Sequence, residues 1–371
     1  MENTLQLKNK KRMANIELLR VISMLMVITL HFLGRGGINA GATVLSGTWV
    51  LASVWDSLAI ISVDVYVLIS GYFLIKSSFK IQKLIDIVLQ VFIYSFVLYL
   101  FFVIIGKNTF SISGFIISVF PIMTNQYWFA SAYVGLYILF PFLNKGLLAM
   151  TKKQHRNLCI ILVLLFALYL PSKALGQNGT GIVWIICLYV FGSYLRLHYE
   201  PKGKLNFQII AMYVVPAILL PLSKIIITII SAIISPSLLI YNGWFYKYNS
   251  ILVLWAAVAL FIVFLNIRIS GERISKIICF AGSLTFGVYL FHNNPSLRDH
   301  LWNGLKLPSI MNNWWFFLVG VLIIIGIFII SASVEFVRQK IYRLFINTKL
   351  YLKIYEKISL SKVVKLINKE N

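Results

Sequence analysis

Acidic residues are scarce in this chain: 11 Asp and Glu stand against 34 Lys and Arg in 371 residues. Charged residues of both signs make up only 12%, about half the share of an ordinary soluble domain. Two or three soluble domains would fit the length, but so little charge cannot cover their surface while 60% of the residues are hydrophobic. A soluble enzyme and a disordered tail are excluded on that ground. The net charge of +23 would suit a nucleic-acid partner only if the basic residues formed a soluble face, and none is expected. Cysteine is nearly absent. Cys159, Cys187 and Cys279 fall in or beside apolar runs with no Cys-x-x-Cys pair, so they read as packing residues, and no metal is expected.

What the chain has instead is apolar runs of about 20 residues, each long enough to cross a hydrocarbon core of roughly 30 Å. Ten candidate spans lie near 14–33, 50–75, 83–105, 128–148, 157–171, 181–198, 206–233, 249–267, 276–292 and 313–337. The expected fold is therefore all-α, a polytopic membrane protein of about ten helices. The segment 157–171 is short. The segment 206–233 is long and holds Pro216, Pro221 and Lys224, as a bent or tilted helix would. The run 110–123 is too short to span.

Basic residues orient these spans. With the N-terminus inside, 26 of the 34 Lys and Arg fall in inner segments and six in outer loops, alternating at every loop. Both termini are then cytoplasmic in a multi-pass plasma-membrane protein. The first span is too long for a signal peptide and reads as a retained anchor. Residues 1–13 form a cytoplasmic N-terminus, 14–337 the transmembrane domain, and 338–371 a basic amphipathic tail expected to lie on the lipids of the inner leaflet. Asn178-Gly179-Thr180 matches a glycosylation acceptor, a weak motif.

Ionisable groups at membrane depth are costly unless paired or wetted. Glu17, Arg20 and His31 sit in the first span, Asp56 and Asp64 in the second, and Lys224 in the seventh. Eleven steps of about 100° return His31 to roughly 20° from Arg20, about 16 Å further along the helix. Glu17, three residues before Arg20, shares that stripe, which must face a cavity or polar partners rather than lipid. An inner Glu17–Arg20 pair with His31 snorkelling outward would give no chemistry. The alternative is a polar column. Asp56 matches the depth of His31, Trp128 and His292 close the column outside, and Arg20 with Lys76, Lys80 and Lys83 lines the inner mouth. A cationic mouth suits a phosphate-bearing ligand, and a neutral imidazole suits a general base acting on a hydroxyl. Each also has a plainer reading: Trp128 as an interfacial anchor, His292 as a helix-end group, and the lysines as a topology signal.

Asn15-Ile16-Glu17-Leu18-Leu19-Arg20, followed by ten residues and His31, resembles the Arg-x10-His signature of the membrane-bound acyltransferase-3 family. Val63-Asp64-Val65-Tyr66-Val67-Leu68-Ile69-Ser70-Gly71-Tyr72 is similar to its VDLFFVISGF-type segment. Trp128-Phe129 with Tyr133, Tyr137 and Pro141, and Ser283 with Gly287-Val288-Tyr289-Leu290 and His292, resemble two further helices of that family. The resemblance implies an O-acetyltransferase that takes an acyl group, usually acetyl, from cytoplasmic acetyl-CoA. It would pass that group to a hydroxyl of a cell-surface or capsular polysaccharide or its lipid-linked oligosaccharide precursor.

On that reading Arg20, His31 and Asp64 are the catalytic set, and Arg20, Lys76, Lys80 and Lys83 bind the donor. Glu17, Asp56, Trp128, Tyr133 and His292 bind substrate. Glu17 stands where many members have Asp, and the lysines replace an Arg-rich stretch. Helix arithmetic puts Asp64 about 13 Å below His31, which favours Asp56 as its direct partner, whereas the family pattern favours Asp64. Two rival readings are a transporter or lipid-linked sugar flippase without acyl chemistry, and a scaffold for a polysaccharide synthase. No inverted repeat supports the transporter.

Overall fold

The computed structural model describes residues 12–169, 179–346, 348 and 355–356, and among these every regular element is helical. Seven helical stretches are long and apolar enough to cross a membrane by length and composition, and two shorter apolar helices accompany them. Helix α1 (Ala14–Gly34) carries the Glu17–Arg20–His31 stripe. After the short α2 (Ile38–Gly41), the second apolar stretch is not one helix. It breaks at Ile60 and Ile61 into α3 (Gly47–Ala59) and α4 (Ser62–Leu74). No proline or glycine marks the break. Ser46 caps α3 by accepting a hydrogen bond from the Trp49 amide, and the break puts Asp64 in the first turn of α4.

Next come α5 (Ile81–Ile104), the eight-residue α6 (Ile112–Val119) and α7 (Trp128–Ala149), which carries Pro141 internally. The short expected span 157–171 is realised as α8 (Lys152–Leu162), continued by a π-helical stretch, Val163–Tyr169. A Thr151–Gln154 capping box starts it. The remaining apolar helices are α9 (Ile182–His198), α10 (Phe207–Ile233), which carries Pro216 and Pro221, α11 (Ile251–Asn266) and α12 (Glu272–His292). Beyond α13 (Pro295–Gly304), the last helix, α14 (Phe316–Ile346), runs unbroken through the expected boundary at residue 337. The N-terminal residues 1–11, Asn178 and most of the basic tail lie outside the described residues.

Small residues set the closest helix approaches, as expected where van der Waals contact rather than water drives packing. A Cβ on Gly71 of α4 would meet the Tyr189 carbonyl oxygen of α9 at 2.5 Å, and one on Gly192 of α9 would meet the Leu68 carbonyl. The Ser70-Gly71-Tyr72 segment is thus a crossing point of α4 and α9. Helix α12 uses the same device twice. Gly282 receives the Glu17 carboxylate of α1, and Gly287 receives the Glu335 carboxylate of α14. Glu335 is 1% exposed and fully satisfied. It accepts from Tyr94 Oη at 2.8 Å, from Gln90 and Gln339, and from both Nε and a terminal nitrogen of Arg338 at 2.8 Å. These bonds tie α14 to α5. Cys159 and Cys187 are buried and all three cysteines are free.

Candidate active site

Helices α1 and α12 run in the same direction, and contacts at both ends fix their register. At one end Glu17 is pressed against Gly282, and the Arg12 guanidinium donates to the Cys279 carbonyl at 2.8 Å. At the other, His31 meets His292. Glu17 is 4% exposed. It holds Arg20 through both carboxylate oxygens at 3.1 and 3.2 Å and lies 3.6 Å from Arg12. One buried carboxylate thus pins two guanidinium groups.

Those arginines line a cavity of about 230 Å³ together with Ser70, Tyr133, Ser283 and Thr285. A second cavity, of about 100 Å³, surrounds His31 and is walled by Met24, Val27, Leu30, Val63, Trp128, Tyr248, Tyr289 and Asn293. Tyr66, Phe129 and Phe286 line both cavities and form the partition between them. Phe129 packs edge-on to Tyr66 and Tyr289, with ring centroids 6.2 and 5.8 Å away.

The histidine pair has a definite proton order. His292 Nδ1 lies 2.5 Å from the Val288 carbonyl oxygen. A carbonyl only accepts, so Nδ1 carries the proton, and in the neutral ring Nε2 is a lone pair. That lone pair lies 2.9 Å from His31 Nδ1, which must therefore donate. His31 Nε2 is then the lone pair left over, on a ring that lines the smaller cavity. The end of α12 that presents His292 is itself held. Asn294 donates to the Tyr94 carbonyl at 3.1 Å and lies 2.7 Å from Tyr127 Oη, and its own oxygen caps α13. His292 is fully buried.

The other expected site residues fall in several places. Trp128 lines the His31 cavity. Tyr133, also expected to bind substrate, lines the arginine cavity with Arg20. Neither carboxylate of the second stretch bonds His31. Asp64 is fully buried and accepts from Trp184 Nε1 on α9 at 3.2 Å, with its second oxygen unbonded among the described residues. The break explains the difference, because a carboxylate in a first helical turn sits in the positive end of the helix dipole. Asp56 lies 4.0 Å from Lys224 Nζ, which also faces the rings of Trp49 and Tyr246 at 5.4 and 5.0 Å.

Lys76, Lys80 and Lys83 are exposed and do not line either cavity. Lys83 is close enough to Lys80 and Arg12 for their charges to act on it. Sequence reasoning missed Arg12, Tyr66, Phe129, Phe286, Tyr289 and Asn293 as cavity-lining residues. For Tyr66 a signal was present, since it stands three and four residues from Val63 and Ser70 on one face of α4.

No curated protein and no solved structure matches the chain. The family model described as an acyltransferase domain matches residues 13–332, which take in the whole His31 cavity, both histidines and, apart from Arg12, the residues named for the arginine cavity. The chain belongs to the acyltransferase-3 family, as a multi-pass membrane acyltransferase.

Proposed function

We propose that this protein moves an acyl group from cytoplasmic acyl-CoA to a hydroxyl of a cell-surface polysaccharide or its lipid-linked precursor. The observation that carries the reading is the pair of cavities sharing one wall, one holding two arginines and the other a histidine with a free lone pair. CoA is a polyphosphate on a thin arm. Arg12 and Arg20 would take the phosphates by charge-assisted bonds, with Lys83 nearby to add charge. The arm would pass the Tyr66–Phe129–Phe286 partition and bring the thioester to His31.

In the His31 cavity the acceptor hydroxyl gives its proton to His31 Nε2 as its oxygen attacks the thioester carbonyl. A C–O bond forms and the C–S bond breaks. The departing thiolate takes the proton back from Nε2 and leaves as the free thiol. His292 stabilises the imidazolium through its Nε2, and the Val288 carbonyl holds His292 in the tautomer that can accept. The same His31 lone pair would serve as nucleophile in a route through an acyl-imidazole. Trp128, Tyr289 and Asn293 are the residues available to the acceptor in that chamber. The distribution of basic residues supports cytoplasmic termini and a plasma-membrane location, with the arginine cavity facing the cytoplasm.

The test is thioester consumption. Membranes carrying the protein and supplied with labelled acetyl-CoA should release free CoA thiol and acylate a glycan acceptor. His31→Ala should abolish both while leaving the amount of inserted protein unchanged. Full surface acylation by that variant would remove His31 as the catalyst. Movement of a sugar without loss of thioester would favour a transporter instead.

A further inference from the structure

The chamber around His31 is small, and its walls are already packed from behind. Its free space is about 100 Å³. A buried apolar cavity of about 150 Å³ accommodates benzene, six carbon atoms, so this one scales to about four heavy atoms. An acetyl group brings three, a propionyl group four and a butyryl group five.

Three of its lining side chains are apolar and buried: Met24 and Val27 of α1 and Val63 of α4. They are 3%, 7% and 8% exposed. Met24 and Val27 belong to the core cluster that continues through Leu284 and Val288 of α12 and Ile324 and Ile327 of α14, so the wall has no slack behind it. Close-packed interiors do not stretch to admit an extra methylene. The inward exit past Tyr66, Phe129 and Phe286 is the route of the thioester arm itself.

We propose that Met24, Val27 and Val63 measure the acyl chain, restricting the donor to two- and three-carbon acyl thioesters. This rests on the acyltransfer reading above and sharpens its substrate class. The chemistry is unchanged by chain length. The thioester carbonyl gains the acceptor oxygen and loses the CoA sulfur, and the proton passes through His31 to the thiolate.

The experiment uses the full chain in lipid nanodiscs with acceptor-containing membrane extract, following thiol release from acetyl-, propionyl-, butyryl- and hexanoyl-CoA. His31→Ala supplies the background. The wild type is expected to use acetyl- and propionyl-CoA and to lose about 10–200-fold in kcat/KM for each methylene beyond the third carbon. Met24→Ala and Val63→Ala each remove wall atoms, and should raise the butyryl-to-acetyl ratio at least about tenfold. Hexanoyl-CoA turned over by the wild type within tenfold of acetyl-CoA would overturn the ruler while leaving the acyltransferase intact. So would an unchanged ratio in both alanine variants while they still consume acetyl-CoA. If both variants fail to accumulate, the wild-type series alone decides. No thiol release from any donor would overturn the acyltransfer reading and the ruler with it.

Discussion

Replacing His292 by leucine cuts the histidine relay without opening a hole. The two side chains are similar in bulk, but leucine offers no acceptor to the His31 Nδ1–H that now points at His292 Nε2 across 2.9 Å. Because His292 is fully buried, water does not replace the lost acceptor. A buried donor left unpaired costs about 1–3 kcal/mol, which is a factor of about 5 to 150 in rate. His31 escapes that cost only by shifting its proton to Nε2, and then the lone pair facing the cavity is gone. General-base catalysis contributes about 10²–10⁴-fold, so His292→Leu should lose on the order of 100-fold in thioester turnover. The KM for acetyl-CoA should hold, since the arginine cavity is untouched. His292→Gln is the companion variant, because its amide oxygen can accept from His31 and hold the working tautomer. It should stay within about tenfold of the wild type. The assay is thiol release from acetyl-CoA, normalised to inserted protein. A leucine variant turning over at the wild-type rate with normal abundance would refute the relay.

Arg20→Ala removes a charge-assisted phosphate contact worth about 1.5–3 kcal/mol, so the KM for acetyl-CoA should rise at least about tenfold; an unchanged KM removes Arg20 from the donor site. Gly282→Ala would drive a methyl group into the Glu17 carboxylate, so it should raise that KM and lower the melting temperature together in a detergent thermal-shift assay. Glu335→Ala leaves the half-buried Arg338 and the buried Tyr94 hydroxyl without their acceptor and should destabilise the protein by about 1–3 kcal/mol, read by thermal melting, while His31 chemistry in the surviving fraction stays normal. Asp64→Asn keeps an oxygen for Trp184 and should retain most turnover, whereas Asp64→Ala should lose protein abundance before it loses rate per molecule.

The stripe on α1 was legible because a straight helix needs only its 3.6-residue period, and the Glu17–Arg20 pair follows from i,i+3 spacing. His292 could be placed only by depth. Its bond to His31 joins residues 261 apart and depends on how α12 packs, which no local pattern encodes. The break at Ile60 and Ile61 was illegible for a related reason. Leu58-Ala59-Ile60-Ile61-Ser62 contains neither proline nor glycine, and an unbroken apolar run reads as one helix. That single miss misplaced Asp64, which looks like a mid-span charge in sequence and is a first-turn carboxylate bonded to Trp184 in the fold. The three lysines were read from charge alone, and charge does not say which cation points into a cavity. Arg12 does, and it sits in the same basic run that had served only to orient the chain. Glu335 was overlooked inside the last expected span because what satisfies it, five hydrogen bonds from four residues on α5 and its own helix, forms only in the folded bundle.

The direction of α12 constrains the number of crossings. Glu17 opposite Gly282 and His31 opposite His292 make α1 and α12 parallel, and parallel spans of one chain are separated by an odd number of crossings. The long apolar stretches between them are four: Gly47–Leu74, Ile81–Ile104, Trp128–Ala149 and Phe207–Ile233. Adding the two shorter apolar helices, Ile182–His198 and Ile251–Asn266, gives six, which would turn α12 antiparallel to α1. We infer one more crossing, for which the segment from Lys152 through Tyr169 is the longest uncounted helical stretch between them among the described residues. Helix α14 then returns beside α12, with Gln339 donating to the Ser283 carbonyl and Phe316 stacked on Phe32 of α1, so the two ends of the described bundle share one face. The contact that aligns His31 with His292 is thus the same one that fixes the direction of the path. It sets the arginine pair at the end where the chain enters the bundle and the histidine pair at the opposite end.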